Sequence, residues 1–171
     1  KKPDDAIRYL QEIERLYPYS EWAKRSVIMQ AYGQHKAKNY EESRSTAQRF
    51  LDTYPGDEDA PYAAYLMALS YYDQIDDVGR DQGVTFQALQ SLRGVIEQYP
   101  ESDYARSAML KFELAFDHLA GKEMEIGRYY ERAGRWLAAQ IRFQNVVEKY
   151  QTTSHTPEAL YRLTETSLSL G

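Results

Sequence analysis

The stretch Gly121-Lys122-Glu123-Met124-Glu125-Ile126-Gly127-Arg128-Tyr129-Tyr130-Glu131-Arg132-Ala133-Gly134-Arg135-Trp136-Leu137-Ala138-Ala139-Gln140-Ile141-Arg142-Phe143 decides the fold. It reads as a helix, a turn centred on Gly134 and a second helix. Met124, Gly127 and Tyr130 recur at helical spacing and predict one buried face. Gly134 supplies the left-handed conformation that ends a helix without a Cβ penalty. Trp136, Ala139, Phe143 and Val146 then fall on one face of the second helix, where the small Ala139 lets paired helices approach closely. A single hairpin cannot bury that face by itself, so the pattern requires further copies.

Three more appear. Small or apolar residues stand 12, 8 and 5 positions before a closing residue: Ala6, Leu10 and Ile13 before Pro18; Ser43, Ala47 and Phe50 before Pro55; Ala88, Leu92 and Val95 before Pro100; Ala139, Phe143 and Val146 before Gln151. Each closing residue follows a tyrosine, Tyr17, Tyr54, Tyr99 or Tyr150, and proline there forbids continuation of the helix. Ser20, Asp59, Ser102 and Thr156 are the expected N-caps of the helices that follow. Asn39 and Gly134 mark two inner turns, and Gly171 falls at the same place in the last unit. Trp136-x-x-Ala139-x-x-x-Phe143 is the second half of a tetratricopeptide motif. The expected fold is therefore all-α, a right-handed superhelical stack of tetratricopeptide hairpins. Residues 1–18 supply the second helix of a first repeat, 19–55 repeat 2, 56–100 repeat 3, 101–151 repeat 4, and 152–171 the first helix of a fifth. This is one repeat domain, 1–171, read as truncated at both ends because it opens on Lys1-Lys2-Pro3-Asp4 without an initiating Met.

The closing residues are 37, 45 and 51 positions apart, against about 34 in the plain motif. In repeat 3 the added length falls at residues 74–82, whose Asp and Gly content predicts a loop. In repeat 4 it extends the first helix, because 103–132 contain no proline. Those 30 residues would span about 45 Å if unbroken.

The composition excludes several classes. The 171 residues carry a net charge of −5 without a basic block, which argues against nucleic acid. With no cysteine there is no disulfide framework, thiolate zinc site or cysteine nucleophile. No run of 18 or more apolar residues occurs. His35, His118 and His155 form no His-Glu-x-x-His pair, and phosphate-loop, dinucleotide and Gly-x-Ser-x-Gly signatures are missing. Asp73, Asp76, Asp77 and Asp81 lack the ligand spacing of a calcium loop. No catalytic, cofactor or metal site is expected.

Binding is the better expectation. The 16 tyrosines, against 5 Phe and 2 Trp, suit half-wet seams and grooves. First helices of each hairpin line the concave side of such a stack. There repeat 2 would offer Arg25, Ile28, Tyr32 and His35, and repeat 3 Tyr62, Tyr65, Leu69 and Tyr72. Tyr32, Tyr62, Tyr65, Leu69 and Tyr72 are the candidate groove for an extended peptide, although tyrosines at this spacing also serve as packing. In repeats 4 and 5 the same face is charged, with Met124, Arg128, Glu131, Glu158, Tyr161 and Glu165, as expected of a surface for a folded partner. Glu41-Glu42 and Glu123 with Glu125 read as solvated helix faces.

Tyr17-Pro18-Tyr19-Ser20-Glu21-Trp22-Ala23, Asp77-Val78-Gly79-Arg80-Asp81-Gln82, Gly121 through Phe143 and Tyr150-Gln151-Thr152-Thr153-Ser154-His155-Thr156-Pro157-Glu158-Ala159-Leu160-Tyr161 resemble the BamD (YfiO/ComL) family of outer-membrane assembly lipoproteins. The uneven insertions and the long helix of repeat 4 stand at matching places, and the likeness covers nearly the whole chain. It implies a non-enzymatic scaffold of five repeats on the periplasmic face of the outer membrane, held by an amino-terminal lipid on a Cys that these residues do not include. It further implies that the carboxy-terminal repeats hold a POTRA domain of the barrel-forming subunit BamA, while the amino-terminal repeats receive unfolded outer-membrane proteins and accessory Bam lipoproteins. Arg142 matches a family arginine associated with the BamA contact, and Arg128, Glu131 and Arg135 are grouped with it. Tyr129, Tyr130 and Glu131 match the family's Tyr-Tyr block. Gln34 and His35 depart from the aromatics common in relatives. The alternatives are a periplasmic cell-division coordinator of the YbgF type, whose repeats are more even in length, and a generic peptide-binding repeat module.

Overall fold

In a computed structural model, which describes residues 3–18, 20–75 and 82–171, the chain is all-helical. Among these residues run eight helices and no strand: α1 (Pro3–Leu16), α2 (Glu21–Lys36), α3 (Tyr40–Thr53), α4 (Ala60–Tyr72), α5 (Gln82–Gln98), α6 (Asp103–Arg132), α7 (Trp136–Lys149) and α8 (Thr156–Leu170). Most of the insertion expected at 74–82, with Asp76, Asp77 and Asp81, lies outside the described residues. The long helix of repeat 4 is continuous over its 30 residues, through Gly121. No described helix is long and apolar enough to cross a membrane.

The helices form two compact units. Among the described residues, one comprises those up to 75 together with 82–112 and the other 113–171, so α6 contributes to both. In the first unit each helix packs on the next from α1 to α5. Its core holds Val27, Ile28, Ala31, Ala47, Phe50, Ala63 and Leu66, then Ala68, Leu92, Val95 and Ala108. In the second unit Leu119, Met124, Phe143, Val146 and Ala159 are buried. A Cβ on Gly127 would stand 2.5 Å from Cε1 of Phe143, so glycine sets the distance between α6 and α7.

The positions expected to be buried before each closing residue are buried in three copies: Ser43, Ala47 and Phe50; Ala88, Leu92 and Val95; Ala139, Phe143 and Val146. Ser43 fits because its hydroxyl donates to the Ala31 carbonyl at 2.8 Å and meets Ser70 Oγ at 3.3 Å, which satisfies it without water. The first copy differs. Ala6 is exposed and Leu10 and Ile13 are half-buried, because the side of α1 turned to α2 carries Ile7, which meets Gly33.

Two expected caps make no cap bond. Ser20 and Ser102 accept from the amides of Ala23 and Ala105 at 3.1 Å, as a cap should. Asp59 makes no cap bond, and the Thr156 hydroxyl donates to the Tyr150 and Gln151 carbonyls instead. The recurring element is the third residue after each closing tyrosine. The amides of Ser20, Asp57, Ser102 and Thr153 all donate to the carbonyl of Tyr17, Tyr54, Tyr99 or Tyr150. In the Asp57 and Thr153 turns the helix starts two residues later than in the serine turns; Asp59 stands at the expected cap position without a cap bond, and in the last turn His155, one residue before Thr156, stands there. At the inner turns Gly134 takes φ 68°, but the residue in that place before Asn39 is Lys38, at φ 64°. In both turns the paired bonds of a left-handed helix end are present: Lys38 to His35 and Asn39 to Gln34, Gly134 to Glu131 and Arg135 to Tyr130.

Candidate partner-binding surfaces

In the first unit the expected groove residues lie on α2 and α4. Tyr62, Tyr65, Leu69 and Tyr72 are half-buried rather than open. Tyr62 and Tyr65 lean on Tyr104 of α6, with ring centroids 5.3 and 5.6 Å apart, and the Lys111 ammonium sits 4.6 Å over the Tyr72 ring. Burial pushes the Tyr62 phenol up to about 12, helped by Tyr32, Tyr104 and Asp59 nearby. Burial likewise raises Tyr65, against a hydrogen bond with Ser107, and raises Tyr72. These phenols are therefore neutral; the Asp73 carboxylate lies near Tyr65 and Tyr72, and the lysine charge reaches the Tyr72 ring.

The face of α2 is turned from the one expected. Ile28 belongs to the core and His35 is half-buried. The exposed stripe is Trp22, Arg25, Met29, Tyr32 and Lys36, with Trp22 69%, Met29 48% and Tyr32 37% exposed. Lys36 lies 5.4 Å from the centre of the Tyr32 ring. Trp22 and Met29 were missed by sequence reasoning, though the alternating three- and four-residue steps of this stripe are the signal that could have found them.

In the second unit the charged candidates are largely engaged with one another. Arg128 Nη1 lies 3.1 Å from both oxygens of Glu158. Glu158 also accepts from Arg162 Nε at 2.7 Å, and Arg162 reaches Glu131 through Nη1. Arg162 first, then Arg128, holds the Glu158 carboxyl below its ordinary range despite partial burial. This alternating chain ties the end of α6 to α8. Arg135 is exposed at the start of α7. Tyr129 is exposed, and its ring meets Tyr130 edge-on at 5.7 Å.

Arg142 is paired too. Its Nη1 lies 3.2 Å from both oxygens of Glu123, and Asn145 Nδ2 donates to the same carboxylate at 3.3 Å. Glu123, expected to be a solvated charge, is only 8% exposed. Behind it Tyr150 is buried against Phe116, and burial together with the Glu123 charge raises its phenol. Among the described residues no group of His, Asp and Glu could hold a metal ion.

Antiparallel helical hairpins with small residues at their close contacts and Tyr-closed outer turns define a tetratricopeptide-type helical repeat protein. The whole chain, residues 1–171, matches the YfiO family, described as outer membrane lipoprotein, and it belongs to that family. Among its relatives, the outer membrane protein assembly factor BamD of Caulobacter vibrioides is 50% identical over 168 residues, 98% of this chain and 55% of that protein. The protein of that name from Rickettsia prowazekii is 43% identical over 171 residues, all of this chain and 68% of the relative. One from Xylella fastidiosa is 29% identical over 165 residues, 91% of this chain and 56% of that protein. The chain thus spans little more than half of two of these relatives and about two thirds of the third.

Proposed function

We propose that this chain is the repeat body of a non-enzymatic scaffold for assembling β-barrel proteins into the outer membrane. The observation that carries this reading is the match over its whole length to relatives named outer membrane protein assembly factor. The second unit, through Arg142 with Arg128, Glu131 and Arg135, holds a POTRA domain of BamA. The first unit receives unfolded outer-membrane proteins along Tyr32, Tyr62, Tyr65, Leu69 and Tyr72, extended by Trp22 and Met29, and accessory Bam lipoproteins dock on the same assembly. It works at the periplasmic face of the outer membrane, where the parent protein is held by lipid.

The half-open aromatic face with lysines over its rings supports the peptide reading, since ring faces and ammonium groups recognise extended chains without demanding one sequence. Arg142→Glu should abolish capture of the BamA POTRA region in a pull-down from purified components, and full capture would remove that assignment. Tyr32→Ala with Met29→Ala should lower crosslinking to an unfolded outer-membrane-protein peptide while leaving the melting temperature in place. Undiminished crosslinking would remove the groove.

A further inference from the structure

We infer that Glu123 is a positioning residue that aims Arg142 at an acidic side chain of the partner. The inference rests on the proposed partner role of Arg142. A carboxylate that only strengthened the fold would be an odd choice here, because a buried ion pair gains little over well-packed apolar side chains of similar volume. Glu123 lies beside the fully buried Met124, on the side of α6 that meets α7, and Asn145 holds one of its oxygens. It is therefore fixed before any partner arrives.

The way Glu123 holds the guanidinium carries the argument. An arginine that spends its full fork on a carboxylate uses two nitrogens in parallel. Here both contacts run to Nη1 alone, at 3.2 Å each. Among the described residues, Nη2 and Nε of Arg142 have no acceptor. The Arg142 side chain is 36% exposed while that of Glu123 is 11% exposed, so the carboxylate is the buried member of the pair and the guanidinium the more open one. The free edge keeps the planar geometry that a second carboxylate can meet with two bonds. Lysine in its place would keep the charge and lose that edge.

The test is a double-mutant cycle on binding of this chain to the purified BamA POTRA region, with the variants Glu123→Gln, Arg142→Ala, Arg142→Lys and the Glu123→Gln/Arg142→Ala pair. Arg142→Ala should weaken binding by about 30-fold or more, as for loss of one member of an interface charge pair. Arg142→Lys should recover only a small part of that. Glu123→Gln should weaken binding by roughly three- to tenfold, a coupling of the size seen between contacting residues, and should add nothing in the Arg142→Ala background. Equal weakening in both backgrounds would make Glu123 merely structural and overturn the inference. Tighter binding by Glu123→Gln would mean that it competes for Arg142, and unchanged binding would mean that it does not orient it; either overturns the inference as well. Unchanged binding by Arg142→Ala would instead overturn the partner role on which it rests. Asn145→Ala, at the surface of the same cluster, supplies a second route should Glu123→Gln fail to fold. It should weaken binding about twofold in the wild type and not in Arg142→Ala, and equal effects in both would again overturn the inference.

Discussion

Two glycines separate a close approach from an accident of composition. An added Cβ at Gly127 would meet three ring atoms of Phe143 at 2.5 to 2.9 Å, where carbon atoms prefer about 3.5–4.0 Å. Phe143 is fully buried and cannot swing away, so the helices or the ring must move by about 1 Å. Overpacking of this kind costs about 1–3 kcal/mol. The upper end applies because Met124 and Val146, also fully buried, leave no room to yield. Alanine in a helix interior returns about 1 kcal/mol relative to glycine. Gly127→Ala should therefore destabilise by about 2 kcal/mol and lower the melting temperature by roughly 4–8 °C in a chain of this size. Gly94 is the control: no atom lies within 4 Å of its would-be Cβ, so Gly94→Ala keeps only the helix term and should raise the melting temperature by roughly 2–4 °C. Far-UV circular dichroism melts of both variants give the comparison. Placing Gly127→Ala on Phe143→Leu should reduce its cost, because the clash is with the ring. If Gly127→Ala matched or exceeded the wild type in stability, glycine would not be setting the α6–α7 distance.

Other consequences are open to the same measurement. Lys38 holds a left-handed backbone that costs a side chain about 1–2 kcal/mol, so Lys38→Gly should raise the urea midpoint by an amount equivalent to about 0.5–1 kcal/mol. Asp57 accepts from the Asp59 amide at 2.9 Å and pairs with Lys24 at 2.7 Å, whereas Asp59 makes no cap bond. Asp57→Ala should cost about 1 kcal/mol and Asp59→Ala close to nothing; the reverse order would return the cap to Asp59. The hydrogen bond from Lys24, followed by that from the Asp59 amide, depresses the Asp57 carboxyl below its ordinary 3.8. At Asp117 burial pushes the other way, but two Ser154 hydrogen bonds and the charges of His155 and His118 prevail and lower it. A carboxyl whose folded value is depressed contributes stability above its unfolded value and loses it as pH falls through the folded one. Urea midpoints should hold at neutral pH and fall below the ordinary carboxylate range, and Asp57→Asn should shallow that fall.

Much of this fold was legible from local patterns. Helical spacing, small residues a fixed distance before Tyr-Pro, and serine or glycine at helix ends all act within a few residues of one another. Ala47, Phe50, Leu92, Val95 and Phe143 could therefore be placed in the core from spacing alone. Lys38 escaped because a residue without the usual preference was forced into the left-handed turn that the paired helices require. Asp59 stands at its expected cap position but makes no cap bond, and Thr156 lies one residue past the cap position, because in these two longer outer turns the residue that closes the turn, Asp57 or Thr153, comes before the helix begins.

The candidate surfaces were less legible, for one physical reason. Which side of a helix remains open depends on the rotation at which its neighbours meet it. Trp22 and Met29 instead of Ile28 is that rotation on α2. Arg142 with Glu123 lies 19 residues apart in the chain, and Arg162 with Glu131 lies 31 apart. No local period relates such residues. Short-range patterns in the chain were enough for helices, their hairpin turns and the small residues on their faces, because these rest on sterics within a few residues. Which charges are spent inside the fold, and which nitrogens of Arg142 are left without an acceptor, follow from the packed helices alone, because charge pairing across helices exists only once packing has set their register.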